Sequence, residues 1–324
     1  MKTTTRILIL IALFVSNNIK AQSTEIVSDS IYSEPLKEHR KFWVKLPDNY
    51  NLSTSSKYPV LFLLDGYSLQ SDLQTVYENY WGHYLPHMIL VGISNRENRT
   101  RDLTISKIEN RRGGPVNFET GGADNFISFI ENELIPYIDK RYKTTNYRTL
   151  IGHSYGGLFT LNVLLNHKHL FNNYIAIDPS IDWDDQNLFK QAKTKLASEG
   201  YKGKSLFISL AAEQLNMQDE SITIDNLLQD TSEFSLFGRT IVQFSNLIES
   251  HPQSHLNFSW KVYPEDLHGT VPLPTMRDGL VFLFKWYQFK HPQKYNNPET
   301  SLQEIEALLS EQSKIYYENL GYSV

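Results

Sequence analysis

Gly152-His153-Ser154-Tyr155-Gly156, followed by Gly157, fits the pattern G-x-S-x-G. A serine in that pattern rides a sharp turn between a strand and a helix, where its hydroxyl stands clear of the sheet and can attack a carbonyl carbon. The flanks agree: Arg148-Thr149-Leu150-Ile151 reads as a strand, and Leu158 to Leu165 reads as a helix. Glycines let the backbone fold tightly there. The N-terminus of the following helix favours negative charge developing beside Ser154. A serine so placed does acyl transfer, provided that a base takes its proton.

In chains built this way the remaining groups follow in the order Ser, acid, His, with the His after the last core strand. Ten His residues compete for that place. His39, His83 and His87 precede Ser154, His153 belongs to the turn, His167 and His169 end the following helix, and His291 lies beyond the last helix. His251 and His255 have a metal-like i, i+4 spacing but enclose Pro252, and no third ligand accompanies them, so no metal is expected. His268 remains as the base, on the loop after the strand Phe258–Tyr263. The acid that orients it is expected after the strand Ser205–Leu210, which makes Glu213 the first candidate; Asp219, Glu220 and Asp225 lie further on, and Asp266 is too local to His268.

An oxyanion hole needs two backbone N–H groups. One is expected from Tyr155, after the nucleophile, and the other from Tyr67 or Gly66 in the loop Asp65-Gly66-Tyr67-Ser68. Arg99 and Arg101 follow a strand at the same end of the sheet and have two readings. Either they bind a substrate carboxylate or phenolate, or they pair with Asp102 to fix their loop. Arg111-Arg112-Gly113-Gly114 reads as a mobile, solvated loop.

These residues need a scaffold, and the rest of the chain supplies one. Glu25–Tyr32 and Arg40–Leu46 alternate polar and apolar residues, as half-exposed antiparallel strands do. Tyr58–Leu64, Met88–Ile93, Tyr147–Ile151, Tyr174–Ile177, Ser205–Leu210 and Phe258–Tyr263 are short apolar runs, the pattern of strands buried on both faces. Helical spacing lies between them, most clearly over Asp124–Tyr142, and also over Leu158–Asn166, Asp185–Ser198, Thr223–Glu249 in pieces and Met276–Phe289. Strands alternating with helices imply a mostly parallel sheet covered on both faces. About 44 residues separate the strand ending near Ala211 from that starting near Leu256, too many for a simple loop. An insertion there overhangs the strand ends where open α/β sheets bind ligands.

Composition narrows the function classes. The chain has 324 residues, 40% of them hydrophobic and 21% charged, and no Cys, which excludes thiol catalysis and Cys zinc sites. Asp+Glu 36 against Lys+Arg 31 leaves no cationic excess for nucleic acid.

Taken in order, Leu63-Leu64-Asp65-Gly66, Val91-Gly92-Ile93 with Arg99-Thr100-Arg101-Asp102-Leu103-Thr104, Gly152-His153-Ser154-Tyr155-Gly156-Gly157, Asp178-Pro179-Ser180-Ile181-Asp182-Trp183 and Leu267-His268-Gly269 resemble the putative-esterase family of α/β-hydrolases. That family includes enterochelin and related siderophore esterases, esterase D, feruloyl esterases and mycolyltransferases. The resemblance runs from about Glu25 to Gln288. It implies an α/β-hydrolase fold: a mostly parallel central sheet of about eight strands, helices on both faces and a helical insertion before the last core strand. It also implies an acyl-enzyme mechanism, no cofactor, a small-molecule or saccharide ester as substrate, and Ser180 and Trp183 beside Arg99 and Arg101 in the substrate site. The chain looks most like the secreted siderophore-esterase branch. There, Asp178 and Asp182-Trp183-Asp184-Asp185 stand where the branch tends to have Ser and aromatics, and this extra acid points away from a polyanionic substrate such as a catecholate siderophore.

The first residues have their own reading. Lys2 and Arg6, the apolar run Ile7–Val15 and the small Ala21 form a secretory-signal pattern. That run is far shorter than the roughly 20 residues a membrane span needs. Removing residues 1–21 takes away Lys2, Arg6 and Lys20, moving the charge from −5 to −8 and placing the protein in a periplasm or outside the cell. Residues 22–295 are expected to form the hydrolase domain and 296–324 a helical tail. The reading is a secreted serine esterase. The alternatives are an acyltransferase or an acetyl- or feruloyl-carbohydrate esterase on the same residues, and a non-catalytic hydrolase-fold binding module.

Overall fold

The structure is a computed structural model that describes residues 26–48, 50, 56–111, 114–216 and 219–321. The proposed signal segment lies outside the described residues. From the N-terminus, strands β1 (Val27–Ser33), β2 (Glu38–Lys45) and β3 (Tyr58–Leu63) lead to helix α1 (Gln70–Tyr80), strand β4 (Ile89–Ile93) and the short helix α2 (Arg99–Leu103). Two-residue strands β5 (Asn110–Arg111) and β6 (Gly114–Pro115) pair with each other, ahead of helices α3 (Ala123–Phe129) and α4 (Ile135–Arg141). Strand β7 (Thr144–His153), helix α5 (Tyr155–Asn166), strand β8 (Asn173–Ile177), helix α6 (Trp183–Ser198) and strand β9 (Ser205–Ala211) follow in alternation. Helices α7 (Glu213–Asn216) and α8 (Leu236–Glu249) precede strand β10 (Asn257–Tyr263), and helices α9 (Pro272–Leu283), α10 (Pro292–Tyr295) and α11 (Leu302–Leu320) close the chain.

Among the described residues, eight strands form one sheet in the order β1-β2-β4-β3-β7-β8-β9-β10. β2 runs antiparallel to both β1 and β4, and the strands from β4 to β10 are parallel. This is the mostly parallel α/β sheet that the apolar runs predict. β3 shows why they are continuous. Val60 and Phe62 enter the core under α3 and α5, while Leu61 and Leu63 enter the core under α1 and α9, so both faces are apolar.

Two helical expectations change in detail. The stripe over 124–142 is one helical path interrupted by a π-helical turn at Ile130–Leu134. Pro136 sits just after it and has no N–H to donate, which breaks the regular ladder. The insertion between β9 and β10 is anchored by α8, where Phe237, Ile241, Phe244 and Ile248 are buried on one stripe. α11 is capped by the Ser301 hydroxyl, which accepts from Glu304 N–H, and it packs Tyr316 onto Tyr287 with ring centroids 4.8 Å apart. Among the described residues no helix is long and apolar enough to cross a membrane.

Candidate active site

Parallel strands deliver their following residues to one end of the sheet, and in the order β7, β8, β9, β10 those residues include Ser154, Asp178, Glu213 and His268. Ser154 joins β7 to α5 with φ 60° and ψ −114°, a conformation sparsely populated for a residue with a side chain. Neighbours hold it there. Ser154 N–H donates to Ile177 O at 2.9 Å, and Ser154 O accepts from Ser180 N–H at 3.1 Å and Leu158 N–H at 3.0 Å. The turn needs its glycines for close approach: a Cβ on Gly152 would lie 2.1 Å from Gly156 O, and one on Gly157 would lie 2.8 Å from Pro179 Cβ.

His268 is gripped by two carboxylates. Its Nδ1 lies 2.5 Å from Asp178 Oδ2, and its backbone N–H donates to Glu213 Oε2 at 2.7 Å. The expectation that Glu213 orients the imidazole is therefore corrected: Glu213 holds the main chain of His268, and Asp178 holds the ring. A carboxylate only accepts, so the Nδ1 proton faces Asp178 and Nε2 keeps its lone pair for another proton. Asp178 is fully buried at φ 42°, and its Oδ1 accepts from Ala211 N–H at 3.1 Å. Burial pushes its carboxyl above the usual carboxylate range, against the opposing pull of His268. Asp178 lies outside the segment after β9 in which the chain order places the acid. The available signal was an Asp ending the apolar run of β8, the strand paired with β7.

The ring of His268 also lies 4.4 Å from that of His153, centroid to centroid, and Phe237 of α8 presents an edge contact at 5.7 Å. His153 is pushed down to about 3, first by burial and then by His268 and Arg99, so its imidazole is neutral. Among the described residues, Ser154 Oγ contacts Ser180 Oγ at 3.4 Å, with no hydrogen bond to His268. Such catalytic bonds are commonly long without substrate and tighten when it binds.

The two oxyanion candidates in the β3 loop separate. Gly66 N–H donates to Ile93 O at 2.8 Å, so it is already used. Gly66 must be glycine because a Cβ would lie 2.3 Å from the Gly92 backbone. Tyr67 N–H makes no hydrogen bond among the described residues and remains the candidate. Tyr155 N–H, in the first turn of α5, lacks an intrahelical acceptor.

The four expected substrate contacts also separate. Arg99 forms a fork with Asp65, with Nε to Oδ1 at 2.9 Å and Nη2 to Oδ2 at 2.9 Å, and also donates to His153 O at 3.1 Å. It ties the Asp65 loop to the turn, and it lines a cavity of about 270 Å³ with Tyr67, Arg96 and His153. Arg101 does not reach this cavity. Its guanidinium donates to Asp102 Oδ1 at 2.8 Å and Glu38 Oε1 at 2.7 Å, in a network where Arg40 forms an ion pair with Asp102 Oδ2 at 2.8 Å. The loop-fixing reading holds for Arg101, because a fully buried Asp102 needs cationic partners. Trp183 is fully buried, donates to Ser106 and meets Tyr155 edge-on at 5.2 Å, so it supports the wall rather than facing a substrate. Ser180 alone of the four contacts the Ser154 hydroxyl.

Arg111 also differs from its expected solvated loop. It pairs with Asp182 at 3.0 Å, bonds the Tyr155 hydroxyl, and lies over the rings of Tyr155 and Trp183 at 5.1 and 5.0 Å. The acid read near the pocket is thus largely engaged. Asp182 pairs with Arg111, Asp184 accepts from Asn187 at 2.8 Å, and Asp185 is exposed beside Lys190. Among the described residues no group of three His, Asp or Glu side chains is arranged to hold a metal.

Comparison with known proteins gives one family. The sequence profile described as "Putative esterase" matches residues 33–231. The chain is 33% identical over 184 residues to ferri-bacillibactin esterase BesA of Bacillus subtilis, covering 52% of this chain and 64% of that protein. It is 29% identical over 187 residues to the siderophore enterobactin esterase of Emericella nidulans, covering 53% and 59%. The match thus spans less than two thirds of either relative's length. Among solved structures, an IroE-like serine hydrolase from Shewanella oneidensis superposes with TM-score 0.76 at 27% identity, over 93% of this chain and 89% of that one.

Proposed function

The chain belongs to the putative-esterase family, and on that premise we propose that it is an exported serine esterase that hydrolyses a carboxylic ester of the siderophore type. The reading rests above all on the contact of 2.5 Å between the buried Asp178 and His268 Nδ1, beside the strained turn of Ser154. Asp178 keeps the Nδ1 tautomer, so Nε2 takes the Ser154 proton as Oγ bonds to the ester carbon. The carbonyl oxygen becomes an anion received by the Tyr155 and Tyr67 amides, and these donors stabilise it most when preorganised. His268 passes the proton to the leaving alcohol, and the ester is now on Ser154. Water, deprotonated by His268, then attacks the acyl carbon and the Ser154 oxygen leaves with the proton.

The substrate class follows the relatives, which are named for siderophore esters. The ion pair of Asp182 with Arg111 weakens the charge argument against such anions. The test uses p-nitrophenyl acetate and a linear or cyclic catecholate ester on the mature protein. S154A is expected to lose activity by roughly 10⁴-fold or more, and a fluorophosphonate is expected to label wild type at Ser154 alone. Activity that survives in S154A, or a label elsewhere, overturns the assignment.

A further inference from the structure

The tripeptide after β8 touches both halves of the catalytic pair. Asp178 holds the His268 ring, while two residues later the Ser180 hydroxyl lies 3.4 Å from Ser154 Oγ. Pro179 between them is pressed against Gly157, where a Cβ would meet it at 2.8 Å. Ser180 N–H to Ser154 O at 3.1 Å and Ser154 N–H to Ile177 O at 2.9 Å lock the segment to the turn. These contacts fix the Ser180 backbone beside the turn, within reach of Ser154. Ser180 is only 2% exposed, and among the described residues its hydroxyl has one hydrogen-bond partner, the nucleophile. Buried hydroxyls ordinarily satisfy themselves on backbone or several polar groups. This one is held for Ser154.

We propose that Ser180 is a further catalytic residue, whose hydroxyl donates a hydrogen bond to Ser154 Oγ as that oxygen departs from the acyl-enzyme. The proposal rests on the esterase reading above. In deacylation the water oxygen bonds to the acyl carbon and the bond from that carbon to Ser154 Oγ breaks, leaving its electron pair on Oγ. His268 delivers to Oγ the proton that it took from water, and Ser180 keeps its own proton throughout. At 3.4 Å the resting contact is long for O–H···O, whose common value is about 2.7–2.8 Å. It has room to shorten as charge grows on Oγ, and donation to a charged oxygen is roughly twice as strong as to a neutral one. The contact therefore strengthens toward the transition state, the condition for raising kcat.

Pre-steady-state hydrolysis of p-nitrophenyl acetate separates the two steps. S180A is expected to lower kcat about ten-fold, the loss for one hydrogen bond to a charged group. It should release p-nitrophenol in a burst of roughly one equivalent as the acyl-enzyme accumulates. The melting temperature should stay near wild type, and S180T, which keeps the hydroxyl, should restore most of kcat. S180C fills the same space with a weak donor, and it is expected to show the same burst should S180A not fold. A kcat within two-fold of wild type without a burst, or a loss confined to acylation, overturns the role of Ser180. If S154A is dead in the same assay, the esterase reading stands even then; if S154A is active, that reading itself fails.

Discussion

Two carboxylates approach His268 from the ends of adjacent strands and grip different parts of it. Asp178 follows β8, is short and fully buried, and reaches the ring; Glu213 follows β9, begins α7 and reaches only the main chain. Neighbouring strands are about 4.8 Å apart, so the residue after β8 stands one strand from the turn at Ser154 and the residue after β9 stands two. The loop carrying His268 comes from β10 and crosses back over β9 to meet His153. In that position its ring lies over the β8 end, while its backbone is still passing Glu213. Proximity to the strand that leads into Ser154, rather than chain order, divides the work between the two acids.

Substitutions at the two acids test this division, starting with the largest effect. D178N keeps shape and an acceptor for Ala211 N–H, but its amide can donate to Nδ1 and so favours the wrong tautomer. Its kcat is expected to fall by roughly 10³–10⁴-fold. Stability should move the other way. Because burial raises the folded pKa of Asp178, its protonated form is favoured in the fold, and the associated stability is lost as pH rises through that raised value. At pH 7–8 the buried charge is thus a cost, and thermal melting of D178N should match or exceed wild type, with the advantage shrinking in acid. A variant as active as wild type would return the ring to Glu213.

At Glu213 the expected losses are smaller. E213A removes the acceptor for His268 N–H and is expected to lower kcat about ten-fold, while E213Q retains an acceptor and stays within roughly three-fold. Equal losses in the two variants would show that charge, not the main-chain bond, is what Glu213 supplies. The third test concerns His153, the neutral ring against His268. Its folded pKa is depressed to about 3, so below about 6.5 the unfolded chain takes a proton that the folded chain refuses. Melting temperature should therefore fall as pH drops from 6.5 toward 3. H153Q should show a shallower slope across that range, and an unchanged slope would assign the acid sensitivity elsewhere.

Much of the fold was legible because its signals are local. β3, β4 and β8 are buried along their whole length and appear in the sequence as unbroken apolar runs, and the turn at Ser154 carries its glycines within five residues. The π-helical turn before Pro136 was less legible, since a 3.6-residue stripe survives a single slipped turn. Arg111 read as a solvated loop residue because its neighbours are Arg and Gly, yet its guanidinium lies over Tyr155 and Trp183, far along the chain. Arg99 and Arg101, two residues apart, could not be separated in advance. One turns toward Asp65 and the turn at Ser154, the other toward Asp102 and Glu38.

By itself the sequence determined the strand-and-helix alternation, the strained serine turn and the short set of His and acidic residues from which a catalytic group could be drawn. Periodicity, glycine spacing and chain order carry that information, because each depends on residues close together in the chain. Only the tertiary structure decided that Asp178 rather than Glu213 meets the imidazole, that Tyr67 rather than Gly66 keeps its amide available, and that Ser180 reaches the Ser154 hydroxyl. Those outcomes depend on which strands lie side by side and where each ends. A separation of one strand or two decides which of several equally suitable side chains is within hydrogen-bond reach.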